Sequence, residues 1–186
     1  WKFGLGQKTG IKIDKETEGV FPSEDYVKGP GVGNISIGQG TLEVTPLQVA
    51  KLTNIIANNG IDTGVRLVKE IIDDNGKILK SFASDKTTRI ISPFTAQKIK
   101  EMMIKVIEDG TGKRAKIENV EIAGKTGSAE AISGSMETVH AWFTGFFEGS
   151  KSRYVITIIA EEQGSGGKIA APIFAHIANR LIEMGY

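Results

Sequence analysis

The 186-residue sequence contains no cysteine, which excludes disulfides, thiolate-bound zinc and a cysteine nucleophile, and is compatible with any compartment. Histidine is almost as scarce. Only His140 and His176 occur, too far apart for a helical HExxH pair, so no metal is expected and each reads as a packed or solvated residue. No apolar run approaches the roughly 18 to 20 residues that span a bilayer, and no charged-then-apolar signal segment opens the chain. An excess of charge is missing too: 23 Lys and Arg stand against 22 Asp and Glu, for a net charge of +1. The charges are interspersed, so nucleic acid is not an expected partner.

What remains is ordinary globular material. A hydrophobic content of 40% over this length supports one domain with a sizeable core. The chain opens on Trp1 rather than Met, and Trp1-Lys2-Phe3-Gly4-Leu5-Gly6 carries apolar residues to its very end, which reads as a cut inside a larger protein.

Gly4 to Gly40 is rich in Gly, Pro, Asp and Lys and reads as an ordered surface loop with little helix. Thr45-Pro46 then supplies a helix cap followed by proline, and Leu47, Ala50, Leu52, Ile55 and Ile56 form an apolar stripe ending at Asn58-Asn59-Gly60. Val65 to Ile72 and Ile78 to Phe82 flank Asp73-Asp74-Asn75-Gly76, a hairpin signal because Asn and Gly both tolerate positive φ. Ser92-Pro93 opens a second helix with Ala96, Ile99, Met102, Met103, Val106 and Ile107 on its apolar face, the methionines read as core. Three β-type segments follow: Val120 to Glu130, Thr138 to Glu148 and Tyr154 to Glu162. Their connections are too short for crossover helices, so they predict an antiparallel meander. Pro172 starts a last helix to about Met184, and the whole is an α+β fold, helices packed on an antiparallel sheet.

The chemistry concentrates at Gly124-Lys125-Thr126-Gly127-Ser128-Ala129-Glu130. Gly-Lys-Thr ends the phosphate-loop pattern GxxxxGK[ST], but Asn119 stands where the first glycine is required, and another strand follows rather than a helix. A carboxylate clamp fits better. Strand alternation puts Thr126 and Ser128 on one face and Lys125 and Gly127 on the other, and Gly127 lets a ligand backbone approach closely. Taken alone, the tripeptide reads first as what a solubilised edge strand carries.

KTG is the third motif of serine β-lactamases and penicillin-binding proteins, after SxxK and SDN. Glu108-Asp109-Gly110-Thr111-Gly112, then AGKTGSAE from Ala123 to Glu130, then His140-Ala141-Trp142-Phe143-Thr144-Gly145-Phe146 resemble the C-terminal half of a class B penicillin-binding protein transpeptidase domain. Gly38-Gln39-Gly40 with Thr45-Pro46-Leu47-Gln48, the Asn58-Asn59-Gly60 turn, and Gly164-Ser165-Gly166-Gly167 before Ala170-Ala171-Pro172 fit the same family in order. The likeness covers essentially residues 1–186, read as the C-terminal part of a single domain with an incomplete β-lactamase/transpeptidase-like fold.

That resemblance implies a bacterial D,D-transpeptidase that cross-links peptidoglycan stem peptides and binds β-lactams, with no cofactor. It implies that Lys125 supplies positive charge, that the Thr126 and Ser128 hydroxyls bind a carboxylate beside Gly127, and that the Ser128 backbone N–H is half of an oxyanion hole. Ser128 stands where the family usually has Thr. The parent protein is expected outside the cytoplasmic membrane, held by an N-terminal anchor.

The nucleophile has no candidate here. Ser165-Gly166-Gly167-Lys168 is the one SxxK, but its glycines disfavour a helix, its order relative to KTG is reversed, and it reads as a flexible loop. No SxN or YxN occurs. The chain alone is therefore expected to be inactive, with apolar surface to be covered by the missing N-terminal half of the domain or by another chain. A β-lactam sensor, a serine β-lactamase or a non-catalytic scaffold of the same fold are the alternatives. The His140 to Phe146 and Gly38 to Gln48 stretches favour the class B enzymes over the first two.

Overall fold

A computed structural model describes residues 2–82, 87–133 and 136–186. Ahead of the first long helix the chain is mostly loop, but two five-residue helices interrupt it, α1 (Glu24–Lys28) and α2 (Val32–Ser36). α1 forms because Ser23 accepts the Tyr26 N–H and Glu24 and Asp25 fill the first turn, a capping signal hidden among loop-forming residues. The loop is pinned at Glu16, whose carboxylate takes the Thr9 hydroxyl at 2.5 Å and the Thr9 and Gly10 N–H groups at 2.7 and 3.3 Å. These bonds, the Thr9 hydroxyl first, hold the Glu16 carboxyl below its ordinary pKa.

α3 (Pro46–Ala57) starts as its sequence predicts. The Thr45 hydroxyl accepts the Gln48 N–H at 3.1 Å and Gln48 Oε1 accepts the Thr45 N–H at 2.9 Å, a reciprocal capping box. Gln48 is 1% exposed, and its Nε2 donates to the Gln7 and Glu18 carbonyls, each at 2.8 Å. One buried carboxamide thus ties two strands of loop to a helix start. Gln48→Ala is expected to cost about 1–3 kcal/mol, because the buried carboxamide's bonds to the Gln7 and Glu18 carbonyls and to the Thr45 N–H are lost. A lowered urea midpoint at unchanged slope reads that loss; a shift worth less than about 1 kcal/mol would mean that water replaces the side chain.

β1 (Ile61–Asp62) pairs with β4 (Thr88–Arg89), and β2 (Glu70–Ile72) with β3 (Ile78–Ser81), both antiparallel. The second pair is the expected hairpin, with shorter strands. Only Gly76 takes a positive φ, 80°, while Asp73 accepts the Asn75 and Lys77 N–H groups on its side chain at 3.0 and 2.8 Å. The turn is set by Asp73 rather than by a left-handed Asn75, and the register slips after Ile71. Residues 83–86 of the loop beyond lie outside the described residues.

α4 (Pro93–Glu108) is capped by Ser92, which accepts the Thr95 N–H at 3.0 Å. Met103 is buried as expected, but Met102 is 59% exposed, because its side of α4 faces an open cavity against α3 rather than the sheet. β5 (Ile122–Ser133), β6 (Met136–Glu148) and β7 (Arg153–Ala160) make the predicted meander in the order β5-β6-β7. α5 (Ala170–Glu183) starts two residues before Pro172, since Ala171 already donates to the Gly166 carbonyl at 2.9 Å and proline is tolerated in a first turn.

Helices cover both faces of this sheet. On one face α5 buries Phe174, Ala171 and Ala178 against Phe143 and Phe147, the Phe143 and Phe174 rings lying 4.8 Å apart. On the other, Ile56, Ala57 and Met103 from α3 and α4 pack on Ala123 and Phe146. A run of hydroxyls stitches that second face. Thr53 donates to the Val49 carbonyl at 2.9 Å and meets Thr144 at 2.8 Å, and Thr144 meets Thr157 at 2.7 Å.

Candidate active site

Among the described residues β5 pairs with β6 alone, so one of its edges is free. The register Lys125↔Thr144, Thr126↔Phe143, Gly127↔Trp142 and Ser128↔Ala141 settles which way each side chain points. Lys125 shares the α3/α4 face with Thr144, and Thr126 and Ser128 share the α5 face with Phe143, the alternation expected from sequence. Cavities of about 430, 380 and 370 Å³ flank this stretch. Lys125 borders the first and the last, and Thr126 and Ser128 border the first and second.

Both hydroxyls of the clamp are held by other elements. The Thr126 hydroxyl meets that of Thr111 at 2.6 Å, and the Ser128 hydroxyl accepts the Gly166 N–H at 3.3 Å. Thr111 is presented by the turn that ends α4, where Gly112 donates to the Val106 carbonyl at 3.0 Å. Gly166 lies so close that an added Cβ would stand 2.2 Å from the carbonyl oxygens of Gly127 and Trp142. In this structure the backbone that closes on Gly127 is therefore the chain's own.

The backbone decides the direction of the site. The Ser128 carbonyl accepts from Gln39 Nε2 at 2.9 Å, and the Thr126 carbonyl from Lys125 Nζ at 2.7 Å, so both face away from β6. In an antiparallel strand the N–H and C=O of one residue point to the same side, so the Ser128 N–H also faces the free edge. An edge donor beside two hydroxyls and a lysine is an arrangement suited to an anionic oxygen and a carboxylate at neighbouring positions.

A family model described as the penicillin binding protein transpeptidase domain matches residues 1–179. The chain belongs to the transpeptidase-domain family of class B penicillin-binding proteins. It is 34% identical over 199 residues to penicillin-binding protein PbpB of Mycolicibacterium smegmatis, aligning 98% of this chain with 30% of that protein. To the peptidoglycan D,D-transpeptidase MrdA of Acinetobacter baumannii it is 30% identical, over 93% of this chain and 29% of the relative. The apo form of penicillin binding protein 3 from Mycobacterium tuberculosis superposes with a TM-score of 0.84 at 32% identity, covering 98% of this chain and 44% of that one. The ampicillin complex of the same protein matches equally well in TM-score, 0.84. The chain spans less than a third of the length of PbpB and MrdA.

Two features of this transpeptidase-domain chain depart from the sequence reading. Ser165 to Lys168 is a tight turn rather than a flexible loop: Lys168 and Ile169 both donate to the Ser165 carbonyl at 3.0 Å, and Gly166 is buried. Thr111 and Gln39, quoted only as parts of motifs, prove to touch the KTG strand directly. His140 behaves as a structural residue, its Nδ1 accepting the Glu162 N–H at 3.0 Å, and His176 is exposed on α5.

Proposed function

We propose that the chain is the C-terminal part of a serine D,D-transpeptidase domain that cross-links peptidoglycan stem peptides and is acylated by β-lactams. The observation that carries this reading is the outward edge at Ser128, with Thr126 and Ser128 hydroxyls on one face and Lys125 on the other. The donor's D-Ala-D-Ala terminus lies along β5, its carboxylate on the two hydroxyls. A serine hydroxyl from the preceding part of the domain attacks the penultimate carbonyl, and the oxygen that becomes negative sits at the Ser128 N–H. D-Ala leaves, and an amine of a second stem peptide takes the acyl group. Lys125 adds positive charge beside the nucleophile.

An open apolar cavity lined by Leu52, Ile56, Ile99, Met102 and Val106 meets Lys125 at one end, which supports a further segment of the domain packing there. That segment is proposed to bring the SxxK and SxN groups, and a part upstream of it the membrane anchor that places the enzyme outside the cytoplasmic membrane. Among the described residues no helix is long and apolar enough to cross a membrane.

Fluorescent penicillin gives the test. The longer protein is expected to label covalently and to release the label slowly, and the 186-residue chain alone not at all. Thr126→Val and Ser128→Ala should each weaken labelling about 10- to 100-fold, the worth of a hydrogen bond to a charged group. Rapid release of the label would instead identify a β-lactamase, and labelling indifferent to both substitutions would remove the clamp.

A further inference from the structure

Gln39 is displayed by a turn that the chain builds with care. Gly38 and Gly40 on either side take φ of 75° and 86°, a conformation that L side chains rarely adopt. The Gln39 N–H is fixed to the Asn34 carbonyl at 2.8 Å, and a Cβ on Gly40 would stand 3.3 Å from both Asn34 Cβ and the Tyr26 hydroxyl. From this turn the carboxamide reaches across 89 positions of sequence to the Ser128 carbonyl. Two residues earlier, Lys125 Nζ covers the Thr126 carbonyl in the same manner. The two outward carbonyls of the free edge around Gly127 are thus both taken by side-chain donors.

An extended peptide that adds to a strand edge needs those carbonyls as acceptors for its own N–H groups. The Gln39 carboxamide N–H is chemically a peptide N–H, and it lies at 2.9 Å where a ligand N–H would have to lie. We propose that Gln39 is a gate on the KTG strand: its carboxamide holds the place of the ligand's amide N–H at the Ser128 carbonyl and swings away when an acylated peptide pairs with β5. The proposal rests on the clamp reading above and adds a residue that sets which ligands enter. A ligand with a secondary amide N–H replaces the bond it breaks. A ligand N-methylated at that nitrogen does not, and leaves the carbonyl unpaired.

The test uses the 186-residue chain itself, isotopically labelled, titrated with N-acetyl-D-alanyl-D-alanine and followed by the backbone amide shifts of β5. Gln39→Met keeps the side-chain length and removes the donor, and Gln39→Ala serves as the second variant should the methionine disturb the turn. Each is expected to bind the dipeptide about fivefold more tightly than the unaltered chain, the worth of one neutral hydrogen bond no longer displaced. In the unaltered chain, saturation should move the Gln39 side-chain amide resonances toward those of a solvated glutamine. Equal or weaker affinity in both variants, with β5 shifts present throughout, overturns the gate and leaves the clamp standing. No β5 shifts in any of the three proteins overturns the clamp and the gate with it.

Discussion

Ser128→Pro is expected to slow acylation of the longer protein by penicillin about 10²- to 10³-fold beyond Ser128→Ala, while the sheet remains folded. Proline in the middle of a sheet normally removes a ladder hydrogen bond, but the Ser128 carbonyl is bonded outward to Gln39, so its N–H faces the free edge and gives nothing to β6. Gly127 before it sits in extended backbone, which a following proline favours. The substitution therefore removes the N–H together with the hydroxyl, and Ser128→Ala is the reference that isolates the N–H. Ser128→Ala, which keeps the N–H and loses the hydroxyl, should fall by the smaller factor given above. Single-turnover labelling rates separate the two, and a Ser128→Pro protein that labels within about fivefold of Ser128→Ala would place the oxyanion elsewhere.

Phe143→Ala should destabilise the chain by about 3–5 kcal/mol, the usual range for emptying a buried aromatic site. The ring is fully buried between Phe174 and the backbone of Gly124, where an added Cβ would lie 2.5 Å from Phe143 Cζ. Gly124 has no side chain because Phe143 occupies its space. The effect reaches the site, since Phe143 is the cross-strand partner of Thr126 and its removal takes away the floor under that stretch of β5. Chemical denaturation measures the loss. A cost below about 1.5 kcal/mol would mean that the core collapses into the gap.

How much of this was legible in the sequence depends on how local each cause is. Thr45-Pro46 and Ser92-Pro93 place the starts of α3 and α4 to the residue, because a cap and a proline act within one turn. The meander was legible for the same reason, its turns being too short for any crossover. The start of α5 was misplaced by two residues, since proline fits the third helical position as well as the first. Within the site, the alternation of Lys125, Thr126, Gly127 and Ser128 followed from strand geometry. The contacts that hold them did not: Thr111, Gln39 and Gly166 reach β5 across 15, 89 and 38 positions of sequence. All three stand in glycine-rich motifs, Asp109-Gly110-Thr111-Gly112, Gly38-Gln39-Gly40 and Gly164-Ser165-Gly166-Gly167, which signal an unusual backbone and leave its purpose open. Gln48 had a local signal, the Thr-x-x-Gln of a capping box, but its two loop carbonyls come from residues 41 and 30 positions away.

The hydroxyls of Thr53, Thr144 and Thr157 form a one-way circuit. A carbonyl can only accept, so Thr53 spends its single proton on Val49; Thr144 must then point its own at Thr53, and Thr157 at Thr144. No second arrangement of the three protons satisfies all three contacts, so the row has a single proton order, running from β7 through β6 to α3. Sliding α3 along β6 would break the Thr53–Thr144 link, the member of the row that crosses from helix to sheet, and strand the Thr144 proton, which ties the registry of that helix to the strand bearing Lys125's partner.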